Sequence, residues 1–213
     1  MPDLPSGTVT FLFTYIEGST ERWERDRGAM AAAVERHIAV LDAAIQTHGG
    51  VHFKTVGDAV QASFPTAPQA VAAAVDGQHA LMAEDWGKIG PLTVRMAVHA
   101  GEAVPDARGD YLAAPLNRLS RLLATGYGGQ ILLSQTVQQL SRGALPSEVE
   151  LRDLGEHRLR DLLEPERIFQ LLHPELPADF PPLATLERRA HNLPLQPTPF
   201  IGREQEIADV VGL

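Results

Sequence analysis

Thr8-Val9-Thr10-Phe11-Leu12-Phe13-Thr14-Tyr15-Ile16-Glu17-Gly18-Ser19-Thr20 joins an apolar run to a glycine turn. The first seven residues are β-branched, aromatic and aliphatic, the composition of a buried strand. The run stops at Tyr15, and in the next five residues Gly18 permits a tight turn while Ser19 or Thr20 can cap a helix. A helix start of this kind offers free N–H groups to an anion, and the glycine lets a phosphate approach the backbone. The same pattern also serves as an ordinary strand-to-helix turn.

Outward from this stretch, Met30, Val34, Ile38, Leu41 and Ile45 recur at spacings of three and four, which predicts a long amphipathic helix ended by Gly49-Gly50. Val51 to Thr55 and Ala59 to Phe64 form a hairpin around Gly57-Asp58. A second helix runs from about Gln69 to Ala83, with Val71, Ala74, Val75, Leu81 and Met82 on its buried side. Leu92 to His99 reads as a strand ended by Gly101. After a loop around Asp106 to Asp110, Pro115 opens a third helix. A short strand (Gln130 to Leu133), a short helix (Thr136 to Leu140) and a terminal hairpin of Val149 to Leu154 with Arg167 to Leu172 follow. The order strand–helix–strand–strand–helix–strand predicts an α+β fold of ferredoxin-like type, a mixed sheet with helices packed on one side of it.

The chain has 213 residues, 44% of them apolar, enough for one packed domain plus a tail. Its formal net charge of -9 and lack of a Lys/Arg-rich run argue against nucleic-acid binding. No apolar run approaches a membrane span and the first residues do not resemble a signal peptide, so the expected location is cytoplasmic, with no membrane partner. With no cysteine, disulfide scaffolds, thiolate catalysis and Cys-ligated zinc are excluded. The expected organisation is a domain over 1–173, a Pro-rich linker over 174–198, and the start of a truncated second domain over 199–213.

Two further constellations bear on chemistry. In Lys54-Thr55-Val56-Gly57-Asp58 the carboxylate at the hairpin tip can meet a hard cation such as Mg²⁺, although a Gly-Asp turn is common without one. Asp110 precedes Asn117 and Arg121, which are four apart and share a face of the third helix. Together they offer hydrogen-bond donors to a phosphate or a sugar, or else form a solvated helix face. His48 and His52 are separated by a helix-breaking Gly-Gly pair, and the absence of a His-Glu-x-x-His pattern makes zinc improbable. His99 reads as a structural residue, and Trp23 and Trp86 as packing residues.

In this order the segments resemble class III adenylyl and guanylyl cyclase catalytic domains, over roughly Gly7 to Leu172. The resemblance implies a head-to-tail homodimer with two composite sites, each using two Mg²⁺ or Mn²⁺ ions to convert ATP to 3′,5′-cyclic AMP and pyrophosphate. Asp58 matches a metal aspartate and the Ile16 backbone carbonyl a further metal ligand, while Gly18, Ser19 and Thr20 lie in the turn that meets the triphosphate. Lys54 and Asp110 match the base-reading pair in its adenine-type polarity. Asn117 matches the residue that orients the ribose, and Arg121 the one that stabilises charge on the phosphate. The other metal aspartate is replaced by Tyr15, and a phenol is a neutral, poor ligand at neutral pH. Residues 199–206, Pro-Phe-Ile-Gly-Arg-Glu-Gln-Glu, are similar to the opening of ATP-binding domains that follow cyclase domains in some bacterial multidomain regulators. Three functions are compatible with this pattern: a cyclase with impaired activity, a nucleotide-binding regulatory or dimerisation module, and the base-reading half of a heterodimer with a complete cyclase.

Overall fold

The computed structural model describes residues 4–185. In chain order the elements are β1 (Gly7–Ile16), α1 (Ser19–Arg25), α2 (Arg27–Thr47), β2 (Val51–Val56), β3 (Ala59–Phe64), α3 (Ala67–Ala83), β4 (Val94–Ala103), α4 (Ala114–Leu123), β5 (Ile131–Ser134), α5 (Gln135–Leu140), β6 (Glu150–His157) and β7 (Glu166–Leu172). The strands form one sheet in the order β2-β3-β1-β4-β5-β7-β6. Its first four strands are the expected ferredoxin-like unit. β1 pairs antiparallel with β3 on one side and, from Gly7↔Ala103 to Ile16↔Val94, with β4 on the other. Only the β4–β5 pairing is parallel.

Alternation along β1 gives the sheet two apolar faces. Leu12 and Ile16 point into a core shared with Met30, Leu41 and Ile45 of α2 and Val71, Ala74 and Leu81 of α3. Val9, Phe11 and Phe13 point the other way, into a core built with Leu116, Leu119 and Leu122 of α4. Helices therefore cover both faces of the sheet, not one as expected, and a central strand buried on both faces explains the near-continuous apolar run that opens the chain.

Several local features differ from the sequence reading. The helix after the turn is two helices, broken at Asp26, whose extended backbone ends α1 and whose side chain accepts from Ala29 N at 2.9 Å to start α2. Neither Ser19 nor Thr20 caps α1. Gly18 occupies the cap in the left-handed region (φ 66°), and Ser19 is the first helical residue. Met82 is 54% exposed, because the stripe of small residues on α3 already fills the space against the sheet. Gly101 lies inside β4 instead of ending it. A Cβ there would stand 2.5 Å from Cγ of Pro115, so the glycine admits the first turn of α4.

Residues 173–185 hold to the domain. Leu176 is buried in the α3-side core and Leu183 in the α4-side core, so this strap crosses from one face of the sheet to the other. On the way Ala178 O accepts from Arg152 Nη1 at 2.9 Å and from Gln170 Nε2 at 2.7 Å. Ala184 N then donates to Thr125 O at 3.0 Å, just beyond α4. The rest of the expected linker and the second-domain segment 199–213 lie outside the described residues. Among those described, no helix is long and apolar enough to cross a membrane.

Candidate active site

The end of β1 and the β2–β3 hairpin are tied together by a carboxylate. Gly57 takes a positive φ of 63° at the hairpin tip, and the Asp58 that follows is buried. Ile16 N donates to Asp58 Oδ2 at 3.2 Å, and Val60 N donates to Thr14 Oγ1 at 3.3 Å. Asp58 and Ile16 are thus side by side.

Tyr15 sits opposite Arg95 in the β1–β4 register. The Arg95 guanidinium carbon lies 5.6 Å from the phenol ring centroid, within cation–π range. The same guanidinium is 3.7 Å from Glu17, and Ser19 Oγ donates to the Tyr15 hydroxyl at 3.3 Å. The phenol is built into its surroundings. Asp58 with the Ile16 carbonyl fits one hard divalent cation. A second cation would meet a phenol oxygen where a carboxylate is needed, so the donor set does not fit a metal pair.

Lys54 Nζ donates to Asp110 Oδ2. Phe53 and Tyr111, the neighbours of these two residues, meet edge to face at 5.0 Å, and both pack on Phe11 of β1. A register shift between His52 and Lys54 gives β2 the local irregularity that lets this pair of residues face the loop. On the loop side, Asp106 Oδ1 accepts from Arg108 N at 2.8 Å and from Asp110 N at 3.0 Å, and Asp110 Oδ1 accepts from Tyr111 N at 2.8 Å. These bonds from Asp110 and Arg108 hold the Asp106 carboxyl below its usual range.

On α4, Leu116, Leu119 and Leu122 are buried, which leaves Asn117 exposed. Arg121 shares that face but is already engaged, with Nη2 at 2.8 Å from Asp161 Oδ2. Asp161 has a positive φ of 61° in the loop between β6 and β7. Beside Arg121, a cavity of about 200 Å³ is lined also by Thr125, Leu159, Arg160, Ala184 and Thr185. Among the described residues no hydrogen bond or ion pair joins the Asp58 turn, the Lys54–Asp110 pair and α4 to one another; the sheet and the apolar packing of Phe11 and Tyr111 with the α4 leucines relate them.

Sequence reasoning missed three participants. Asp161 and Arg95 carried no signal, since each acts through a partner distant in the chain. His37 is fully buried beside Asp58, and burial pushes its imidazole down to about 4 against an opposing contact from the Asp58 backbone. Its place one turn after Ala33 and one before Leu41 could have shown it on the buried stripe. Apart from this site, His79, His173 and Glu175 also lie close together. His99 is structural as expected: its Nδ1 lies 2.8 Å from Ser134 Oγ, and burial, then Arg118, push it down to about 4.

The family model of the adenylate and guanylate cyclase catalytic domain matches residues 1–171. An uncharacterised protein of Mycobacterium tuberculosis is 37% identical over 208 residues, covering 96% of this chain and 70% of that protein. An adenylate cyclase of Podospora anserina is 30% identical over 78% of this chain and 10% of its own length. Among solved structures, a monomeric adenylate cyclase from Trypanosoma brucei superposes with a TM-score of 0.74 at 24% identity, covering 85% of this chain and 94% of that one. The adenylyl cyclase CyaB from P. aeruginosa gives 0.65 at 23% identity, over 78% and 94%. The family match over most of the chain and the fold shared with these structures agree, and the chain belongs to the adenylate and guanylate cyclase catalytic domain family.

Proposed function

We propose that two copies of this chain pair head to tail and that their composite sites cyclise ATP to 3′,5′-cyclic AMP, at a rate reduced by Tyr15. The observation that carries the choice of ATP is the Lys54–Asp110 pair. An ammonium donor beside a carboxylate acceptor matches adenine, which offers an acceptor at N1 and a donor at its 6-amino group. Guanine presents the opposite polarity.

Asn117, exposed on α4, holds the ribose, and Arg121 lies against the phosphate once it leaves Asp161. In the reaction the ribose 3′-hydroxyl oxygen attacks the α-phosphorus as the bond from that phosphorus to the bridging oxygen breaks, and the released pyrophosphate carries away the hydroxyl proton. Asp58 and the Ile16 carbonyl would hold a Mg²⁺ or Mn²⁺ ion, which would supply positive charge to the triphosphate. Replacement of the other carboxylate by a phenol costs about 4 kcal/mol of transition-state stabilisation, roughly a thousandfold in rate.

The test is production of cyclic AMP from ATP and Mn²⁺ by the chain as it stands and by Tyr15→Asp. A rise of about a thousandfold is expected; no product from either rejects the catalytic reading. The contacts of Tyr15 with Ser19 and Arg95 favour a second reading, in which the site binds ATP without turning it over. That reading also allows the chain to lend Lys54, Asp110, Asn117 and Arg121 to a complete cyclase in a heterodimer. It predicts saturable ATP binding by both proteins and product from neither alone.

A further inference from the structure

We propose that His79, His173 and Glu175 form a binding site for a divalent transition metal of the zinc class, separate from the candidate active site. One ligand atom from each lies within 4.8 Å of the others. His79 projects from the penultimate turn of α3, and its Nε2 is buried with no hydrogen-bond partner. A buried imidazole nitrogen left unpaired is costly unless something else takes its lone pair. The nearest charged group is Glu175 Oε2, at 3.8 Å, too far for a hydrogen bond. The His173 ring stands edge to face against His79, with centroids 4.6 Å apart.

Both residues of the second segment come from one tight turn. Leu176 N donates to His173 O at 3.0 Å, and Pro174 at the second position fixes the turn. Leu176 is 8% exposed and roots the turn in the core. A packed helix and a rooted turn therefore present two imidazoles with little freedom left to lose. Tetrahedral zinc, with ligand bonds of about 2.0–2.2 Å, sets its donors about 3.4 Å apart. The cluster closes on a metal by an adjustment on the order of 1 Å, to which the Glu175 side chain, 78% exposed, contributes. Two imidazoles and one carboxylate, with no thiolate, suit Zn²⁺ and leave a position for water. Bound there, the ion fastens the head of the 173–185 strap to α3.

The test is titration of Zn²⁺ into the metal-free 213-residue chain against a chromophoric chelator, with Co²⁺ absorption as a second readout. One ion per chain with a micromolar or tighter Kd is expected, weakened at least about tenfold by His79→Gln and by His173→Gln. Glu175→Ala removes an exposed side chain that supports no packing; it should weaken binding similarly while leaving the thermal midpoint of the metal-free chain unchanged. No saturable binding, equal affinity in Glu175→Ala, or loss of the site only on Asp58→Asn would each overturn the proposal.

Discussion

Acidification from pH 7 to pH 5 should loosen this fold through His37 and His99. Each is pushed down to about 4 by burial, against about 6.5 for an imidazole in an unfolded chain. The unfolded state therefore takes up protons first as pH falls. Stability from this source is complete above about pH 6.5, declines between about 6.5 and 4, and is level below. Each histidine costs roughly 2 kcal/mol at pH 5 and about 3 kcal/mol at pH 4. The clean perturbation is His37→Leu, because neither ring nitrogen has a well-formed hydrogen bond to lose. Leucine in that place should leave stability at pH 7 unchanged or higher. Urea unfolding followed by the fluorescence of Trp23 and Trp86 at both pH values gives the four free energies required. The loss on going from pH 7 to pH 5 should be about 2 kcal/mol smaller in the variant. Equal losses in the two proteins would refute the reasoning.

Three further outcomes are expected. Lys54→Ala leaves Asp110 without its cation and should weaken ATP binding about ten- to a hundredfold by calorimetry, the value of a hydrogen bond to a charged group. Asp161→Ala, made in the Tyr15→Asp background, frees Arg121. The pair is partly exposed and worth at most about 1 kcal/mol, so initial rates should rise by up to about fivefold with little change in stability. Gly101→Ala drives a methyl against the rigid Pro115 ring; it should cost about 1–3 kcal/mol in urea unfolding as α4 is pushed off the sheet.

The elements legible in the sequence were those whose pattern is local. β1 announced itself as an apolar run because both its faces are covered, and the β2–β3 hairpin because Gly57 must take a positive φ. The Lys54–Asp110 pair was foreseen only through family resemblance, since the two residues are joined by a packing of Phe11, Phe53 and Tyr111 that no spacing encodes. Gly101 misled because a glycine that makes room for a neighbour looks, in sequence, like one that ends a strand. Helical periodicity placed Met82 inside, but the adjoining alanines of α3 already fill the interior. The His79 cluster was invisible for a different reason: its members stand on a helix and a turn separated by the whole second half of the sheet, and neither carries a motif of its own.

The strap over 173–185 is fastened near His79, at Ala178 against β6 and β7, and at Ala184 beside Arg121. A band fixed on opposite sides of a stiff slab and pinned between works as a clasp. Neither end swings free of the slab unless the fastening at Ala178 gives as well.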